Sequence, residues 1–208
     1  MKRILFTLLM LLPLVSLADT PAPGMYKPVN PPLPGGKDGK IQVVELFWYG
    51  CPHCYHFEEY VEKWAPGLAD DVEFVQLPAV FRRNWVPAAR AHFAAQALGV
   101  LDRFHRPYFD ALHKERRRLF REEAILDFVE ELGIDRDEFR KAYNSFAVDA
   151  RVREAMKYTM QSGITGVPAM VVNGKYWTAA SLAGDFERML EVVNGLIERE
   201  REAAGTAP

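Results

Sequence analysis

A chain of 208 residues, 49% of them hydrophobic, with 26 lysines and arginines against 28 aspartates and glutamates, has the composition of one globular domain, or of one domain carrying an insertion. Its formal net charge of −2 argues against broad electrostatic binding to nucleic acid, which needs a basic surface. Two cysteines, Cys51 and Cys54, can neither build a disulfide framework nor complete a four-ligand zinc site alone.

The first residues read as an export signal. Lys2 and Arg3 are followed by an apolar stretch from Ile4 to Leu17, and Ser16-Leu17-Ala18 places small residues at a signal-peptidase site, so residues 1–18 are expected to be removed. A helix over that stretch would reach about 21 Å, short of a hydrocarbon core of about 30 Å. Without Lys2 and Arg3, 24 basic residues face 28 acidic ones, a net charge of −4. No later segment is apolar enough to cross a bilayer. Both cysteines are therefore expected to work where disulfides persist, and a short signal of this kind fits a periplasm.

Residues 19–40 are rich in Pro and Gly and read as an extended arm, with a short strand near Met25-Tyr26-Lys27. Ile41 to Tyr49 is β-branched and aromatic, apolar on both faces, and predicts a central strand ended by Gly50. Pro52 suits the first turn of a helix reaching about Trp64, and Val72 to Leu77 reads as a second strand. Residues 41–81 thus follow the order strand, CxxC, helix, strand.

Residues 82–162 switch to helical periodicity, with candidate helices at Pro87–Leu98, Leu101–Leu112, Arg121–Leu132, Arg136–Ala147 and Val148–Gln161. Gly99 and Gly133 stand at C-cap positions and Asp135 at an N-cap. Over residues 163–208 β-type sequence returns at Ala169–Val172 and Lys175–Trp177 around Asn173-Gly174, a hairpin signal, followed by a helix from Ser181 to Glu200. The block at 82–162 is too long for an ordinary connection. The expected fold is therefore α/β, with an all-helical domain inserted into a sandwich whose two parts are 41–81 and 163–208.

In Cys51-Pro52-His53-Cys54 the first sulfur sits at a helix start and the second one turn behind it. The free N–H groups and dipole of the helix favour a thiolate at Cys51, and His53 can add a donor or a positive charge. Stabilising the thiolate makes the disulfide easier to reduce, hence a stronger oxidant. A rival reading is a metal site using Cys51, Cys54 and His56, with His53 as a fourth donor, although neighbours one and two apart do not share a helix face. An inert structural disulfide is the blander alternative. Glu45, a carboxylate inside an apolar strand, is either a strand-edge charge or a buried proton acceptor. Gly166-Val167-Pro168 precedes a predicted strand, where a trans proline is ordinary.

Several stretches together resemble the DsbA family of thiol:disulfide oxidoreductases. They are Glu45-Leu46-Phe47, Cys51-Pro52-His53-Cys54-Tyr55, Phe57-Glu58-Glu59, Ala97-Leu98-Gly99-Val100, Asn144-Ser145-Phe146, Gly166-Val167-Pro168-Ala169-Met170 and Val172-Asn173-Gly174-Lys175-Tyr176. The resemblance implies a thioredoxin fold with an inserted helical domain, and catalysis at Cys51 with Cys54, tuned by Pro52 and His53. It further implies a cis bond before Pro168 that faces the active site. Gly166, Val167 and Pro168 would form the substrate-binding edge, and Glu45 would accept the Cys54 proton. It implies no bound cofactor and no metal. Expected partners are reduced exported polypeptides as substrates and a DsbB-like inner-membrane quinone reductase as reoxidant, with the protein a monomer in the periplasm. One departure stands out: Gln76 occupies a position on the next strand where the family often carries a lysine.

The competing functions are a disulfide isomerase or reductase and, in a different class, a periplasmic metal-binding module. Isomerases of the DsbC type carry a separate dimerisation domain for which this chain has no room. Arg116-Arg117-Arg118 followed by Glu122 and Glu123 reads as a solvated helix end. His92, His105 and His113 show no ligand-like spacing, and Trp48, Trp64, Trp85 and Trp177 read as packing residues.

Overall fold

The computed structural model describes residues 21–205. The expected signal segment, residues 1–18, lies outside them.

Five strands form one mixed sheet: β1 (Lys27–Pro28), β2 (Ile41–Phe47), β3 (Val72–Pro78), β4 (Ala169–Val172) and β5 (Tyr176–Thr178), in the spatial order β1-β5-β4-β2-β3. β2 runs parallel to β3 and antiparallel to β4, so the strand that precedes the cysteines has neighbours on both edges. Its alternation serves two cores. Ile41 and Val43 pack with Phe57 and Val61 of helix α1 (Pro52–Trp64) and with Val193 and Leu196 of α8 (Phe186–Ala204). Val44 and Leu46, one residue out of phase, pack with Ile164 and Val171 on the other face. That two-sided burial explains why the strand is apolar throughout apart from Gln42 and Glu45.

Between β3 and β4 lie α2 (Val86–Ala97), α3 (Leu101–His113), α4 (Glu122–Glu131), α5 (Arg136–Tyr143) and α6 (Phe146–Gln161). Gly99 and Gly133 take φ of +68° and +67° just past α2 and α4, and the Asp135 side chain accepts from the N–H groups of Asp137 and Glu138. These helices share one core with the end of β2 and the start of α1: Phe47, Tyr49, Cys51, Cys54 and Tyr55 pack with Phe104, Tyr108 and Phe109. The helical block thus forms one wall of the cysteine site.

The structure moves several expected boundaries. The break between the last two helices of the block falls at Asn144-Ser145, not at Ala147, because the Ser145 hydroxyl accepts from the Val148 N–H and starts α6 there. The expected final helix is two helices, α7 (Ala180–Ala183) and α8, divided at Gly184 (φ +113°) and Asp185, whose side chain caps α8 by accepting from the Arg188 N–H. The arginine run is no helix end. Arg116 adopts φ +57° in the link between α3 and α4, while Arg117 makes a bidentate pair with Glu131.

The Pro/Gly-rich arm follows the β4–β5 hairpin. Its strand lies at Lys27–Pro28, slightly beyond the expected place, and Val29 and Leu33 donate backbone N–H groups to the carbonyls of Lys175 and Gly174. Asn173 and Gly174 both take positive φ, 48° and 66°, as the two-residue turn requires. Besides Val167–Pro168, the bond Asn30–Pro31 is cis, which the sequence reading did not anticipate.

Candidate active site

Cys51 is the N-cap of α1, and Pro52 occupies its first turn, where a missing N–H leaves no bond unmade. The Cys51 sulfur accepts from the backbone N–H of Cys54 at 3.4 Å; as a thiol it can donate to the carbonyl oxygen of Val167 at 3.5 Å. One helical turn separates two different environments. Cys51 is 9% exposed and Cys54 is 0% exposed. The Cys51 thiol is lowered to about 6, chiefly because the Cys54 thiol donates to its sulfur; burial opposes this, and the N–H groups of Cys54 and His53 and the charge of His53 add to it. Cys54 moves the other way: burial raises its thiol, and its bond to Cys51 raises it further. A dithiol built this way carries its negative charge on the outer sulfur.

The remaining expected site residues fall around these sulfurs. Pro52 and His53 are exposed. Val167 is half-buried, Pro168 is buried behind a cis bond, and Gly166 is exposed. An open hollow of about 420 Å³ runs beside them, lined by His53, Gly166, Val167, Pro168, Trp177 and Phe186. His56 is exposed on α1, and no three His, Cys, Asp or Glu side chains among the described residues come together as a metal site.

Glu45 is no strand-edge charge: it is 0% exposed, and burial together with the nearby Glu58 carboxylate raises its acid well above the usual carboxylate range. The parallel register sets Glu45 opposite Gln76. The Gln76 amide donates to Glu45 Oε2 at 2.9 Å and to Glu58 Oε1 at 3.0 Å, so a neutral side chain bridges two buried carboxylates.

Sequence reasoning missed what lies beyond. His105 Nε2 sits 3.2 Å from Glu58 Oε2, and its Nδ1 sits 2.7 Å from the Tyr49 hydroxyl, which also lies 3.0 Å from His92 Nδ1. His113 Nε2 donates to the Tyr49 carbonyl at 2.7 Å. The three histidines that lacked any ligand-like spacing therefore all converge on Tyr49, two residues before Cys51. One signal was readable: Glu58 follows Cys54 by four positions on α1, which places both on one helix face. The histidine contacts span 43 to 64 positions and have no local signature.

Comparison with known proteins agrees with this geometry. A family model described as a DSBA-like thioredoxin domain matches residues 69–191. The chain is 43% identical over 179 residues to the thiol:disulfide interchange protein DsbA of Pseudomonas aeruginosa, covering 86% of this chain and 85% of that one. It is 42% identical to that of Azotobacter vinelandii over 189 residues, 91% of this chain and 88% of the relative. The crystal structure of Pseudomonas aeruginosa DsbA superposes with a TM-score of 0.84 at 42% identity, over 88% of this chain and 95% of that one. The oxidoreductase DsbA from Xylella fastidiosa gives 0.82 at 35% identity, over 88% and 99%.

Proposed function

The chain belongs to the DSBA-like family of thioredoxin-fold proteins, and from that premise we propose that its Cys51–Cys54 disulfide is donated to reduced exported polypeptides through a mixed disulfide at Cys51. Its chemistry is thiol:disulfide interchange. A substrate thiolate attacks Cys51 Sγ; the Cys51–Cys54 bond breaks, and its electron pair leaves on Cys54. Cys54 takes up a proton, for which Glu45 in its acid form is the buried source. A second substrate thiolate attacks the substrate sulfur of the mixed disulfide, and Cys51 leaves as a thiolate. Two electrons have then passed from the two substrate thiols to the protein, and the substrate carries the disulfide.

The observation that carries this direction is the contrast between the two sulfurs. A Cys51 thiol lowered to about 6 is a good leaving group at neutral pH, while the raised thiol of buried Cys54 holds its proton. Stabilising the outgoing thiolate favours the reduced protein, which makes the disulfide an oxidant. Val167 supports the substrate role, since a backbone carbonyl beside the reactive sulfur can pair with many peptide sequences.

Turnover requires an electron acceptor, for which a DsbB-like inner-membrane protein passing electrons to quinone is the partner we assign. The compartment is the periplasm, on the strength of the signal-like sequence at residues 1–18. The test is stoichiometric: oxidised protein mixed with an unfolded peptide carrying two thiols should yield one peptide disulfide per protein reduced, followed by mass spectrometry. A peptide that stays reduced overturns the reading.

A further inference from the structure

The two buried carboxylates near the cysteines are not equally supplied with donors. Glu58 Oε1 accepts from Gln76 and Glu58 Oε2 faces His105 Nε2, whereas Glu45 accepts from Gln76 through Oε2 and its Oε1 is buried with no partner. Which ring nitrogen of His105 carries the proton follows from the hydrogen bonds around it. His92 Nε2 is buried without a partner, and an N–H there would be an orphaned donor, so the His92 proton belongs on Nδ1, donating to the Tyr49 oxygen. Tyr49 then donates its single hydroxyl proton to His105 Nδ1. That leaves the His105 proton on Nε2, aimed at Glu58.

We propose that His105 is a positioning residue for the thiol–disulfide centre: by donating from Nε2 it completes the hydrogen bonding of Glu58, and so assigns the single proton shared by the two buried carboxylates to Glu45, whose Oε1 has no donor. Two neighbouring carboxylates cannot both ionise cheaply in a buried site, and the proton settles on the one with fewer donors. His105 comes from α3, so the helical block sets the acid that serves Cys54. Arg106 pairs with Glu62 and Asp110 and also feels the charge of Glu58, and His92 is kept neutral chiefly by burial. The contact is well shielded, since the His105 and Glu58 side chains are 12% and 3% exposed.

The inference takes its functional meaning from the reading that Glu45 exchanges a proton with Cys54, but its test does not depend on that. The Glu45 carboxyl carbon is followed by NMR titration in uniformly labelled protein, with the Glu45→Gln variant giving the assignment. Removing the donor in His105→Leu should lower the Glu45 midpoint by about one pH unit, roughly a tenfold change in proton partition, as expected for one hydrogen bond to a charged group. His105→Gln, whose side-chain N–H can reach the same place, should restore most of it. Should His105→Leu fail to fold, Tyr49→Phe, which frees the His105 tautomer, is measured in its place and should shift Glu45 the same way. An unchanged midpoint in the donor-less variant overturns the proposal, as does a glutamine variant that behaves like leucine. The disulfide-donor reading is tested separately by the potential of the unaltered protein.

Discussion

The sulfur of Cys51 lies 3.5 Å from the carbonyl oxygen of Val167, a residue 116 positions later in the chain. The antiparallel pairing of β2 with β4 creates this approach, because it brings the end of one strand beside the start of the other. The outer sulfur therefore lies beside a backbone edge, while Cys54 stays behind it in the core.

That division of labour predicts unequal phenotypes. Cys51→Ser should abolish disulfide donation. Cys54→Ser should leave Cys51 able to bond substrate but unable to release it by internal attack, so mixed disulfides accumulate. Non-reducing electrophoresis of each variant after incubation with an activated substrate thiol checks this. Equal accumulation in both variants would contradict the assignment of Cys51 as the attacked sulfur.

The Cys51 thiolate should be visible as a function of pH. Alkylation of the reduced protein by iodoacetamide should rise through a midpoint at about 6. The causes are ranked: the Cys54 thiol contributes most and the His53 charge least, so Cys54→Ala should raise the midpoint further than His53→Ala does. The reverse order would mean that the imidazole, not the partner thiol, holds the charge.

Glu45 should cost stability at neutral pH. Its acid is raised in the folded protein, so the native state holds its proton to higher pH than the unfolded chain does. Stability is then full below the ordinary carboxyl value and falls as pH rises toward the folded value, by up to about 1.4 kcal/mol per unit within that window. Glu45→Gln should therefore melt with the unaltered protein near pH 4 and increasingly above it from pH 5 upward, while proton delivery to Cys54 slows. Thermal melts across that range test the sign.

At the hairpin, Gly174 takes φ +66°, and a Cβ there would sit 2.2 Å from the Leu33 carbonyl oxygen. Gly174→Ala should cost more than about 1 kcal/mol, since both the backbone angle and the arm must give way. A melting temperature unchanged by the substitution would show that the arm packs less tightly than its hydrogen bonds indicate.

Local chemistry made much of this fold legible. The β-branched run before Gly50, Pro52 behind Cys51, the Asn173-Gly174 turn and the caps at Gly99, Gly133 and Asp135 each act within a few residues. What escaped was either weakly marked or nonlocal. Ser145 starts α6 without the acidic partner that usually advertises a capping box, so the apolar pattern carried the expected helix past it. The break at Gly184-Asp185 was marked, yet the periodicity on either side read through it. At the candidate site, the spaced sulfurs and the carboxylate of Glu45 inside an apolar strand stood out locally. The Tyr49–His105–Glu58 contacts depend on how the helical block docks, which no spacing within α2 or α3 encodes.

The most direct measurement is the reduction potential of Cys51–Cys54, taken by equilibrating the protein with glutathione buffers. A disulfide donor should lie nearer the about −120 mV known for DsbA than the about −270 mV of thioredoxin. The reduced form should also be the more stable one at neutral pH. Because the Cys51 thiol is lowered, that advantage is fully present above the ordinary thiol range and is lost as pH falls through about 6. A potential near that of thioredoxin, with the oxidised form the more stable, would contradict the account and make the protein a reductant.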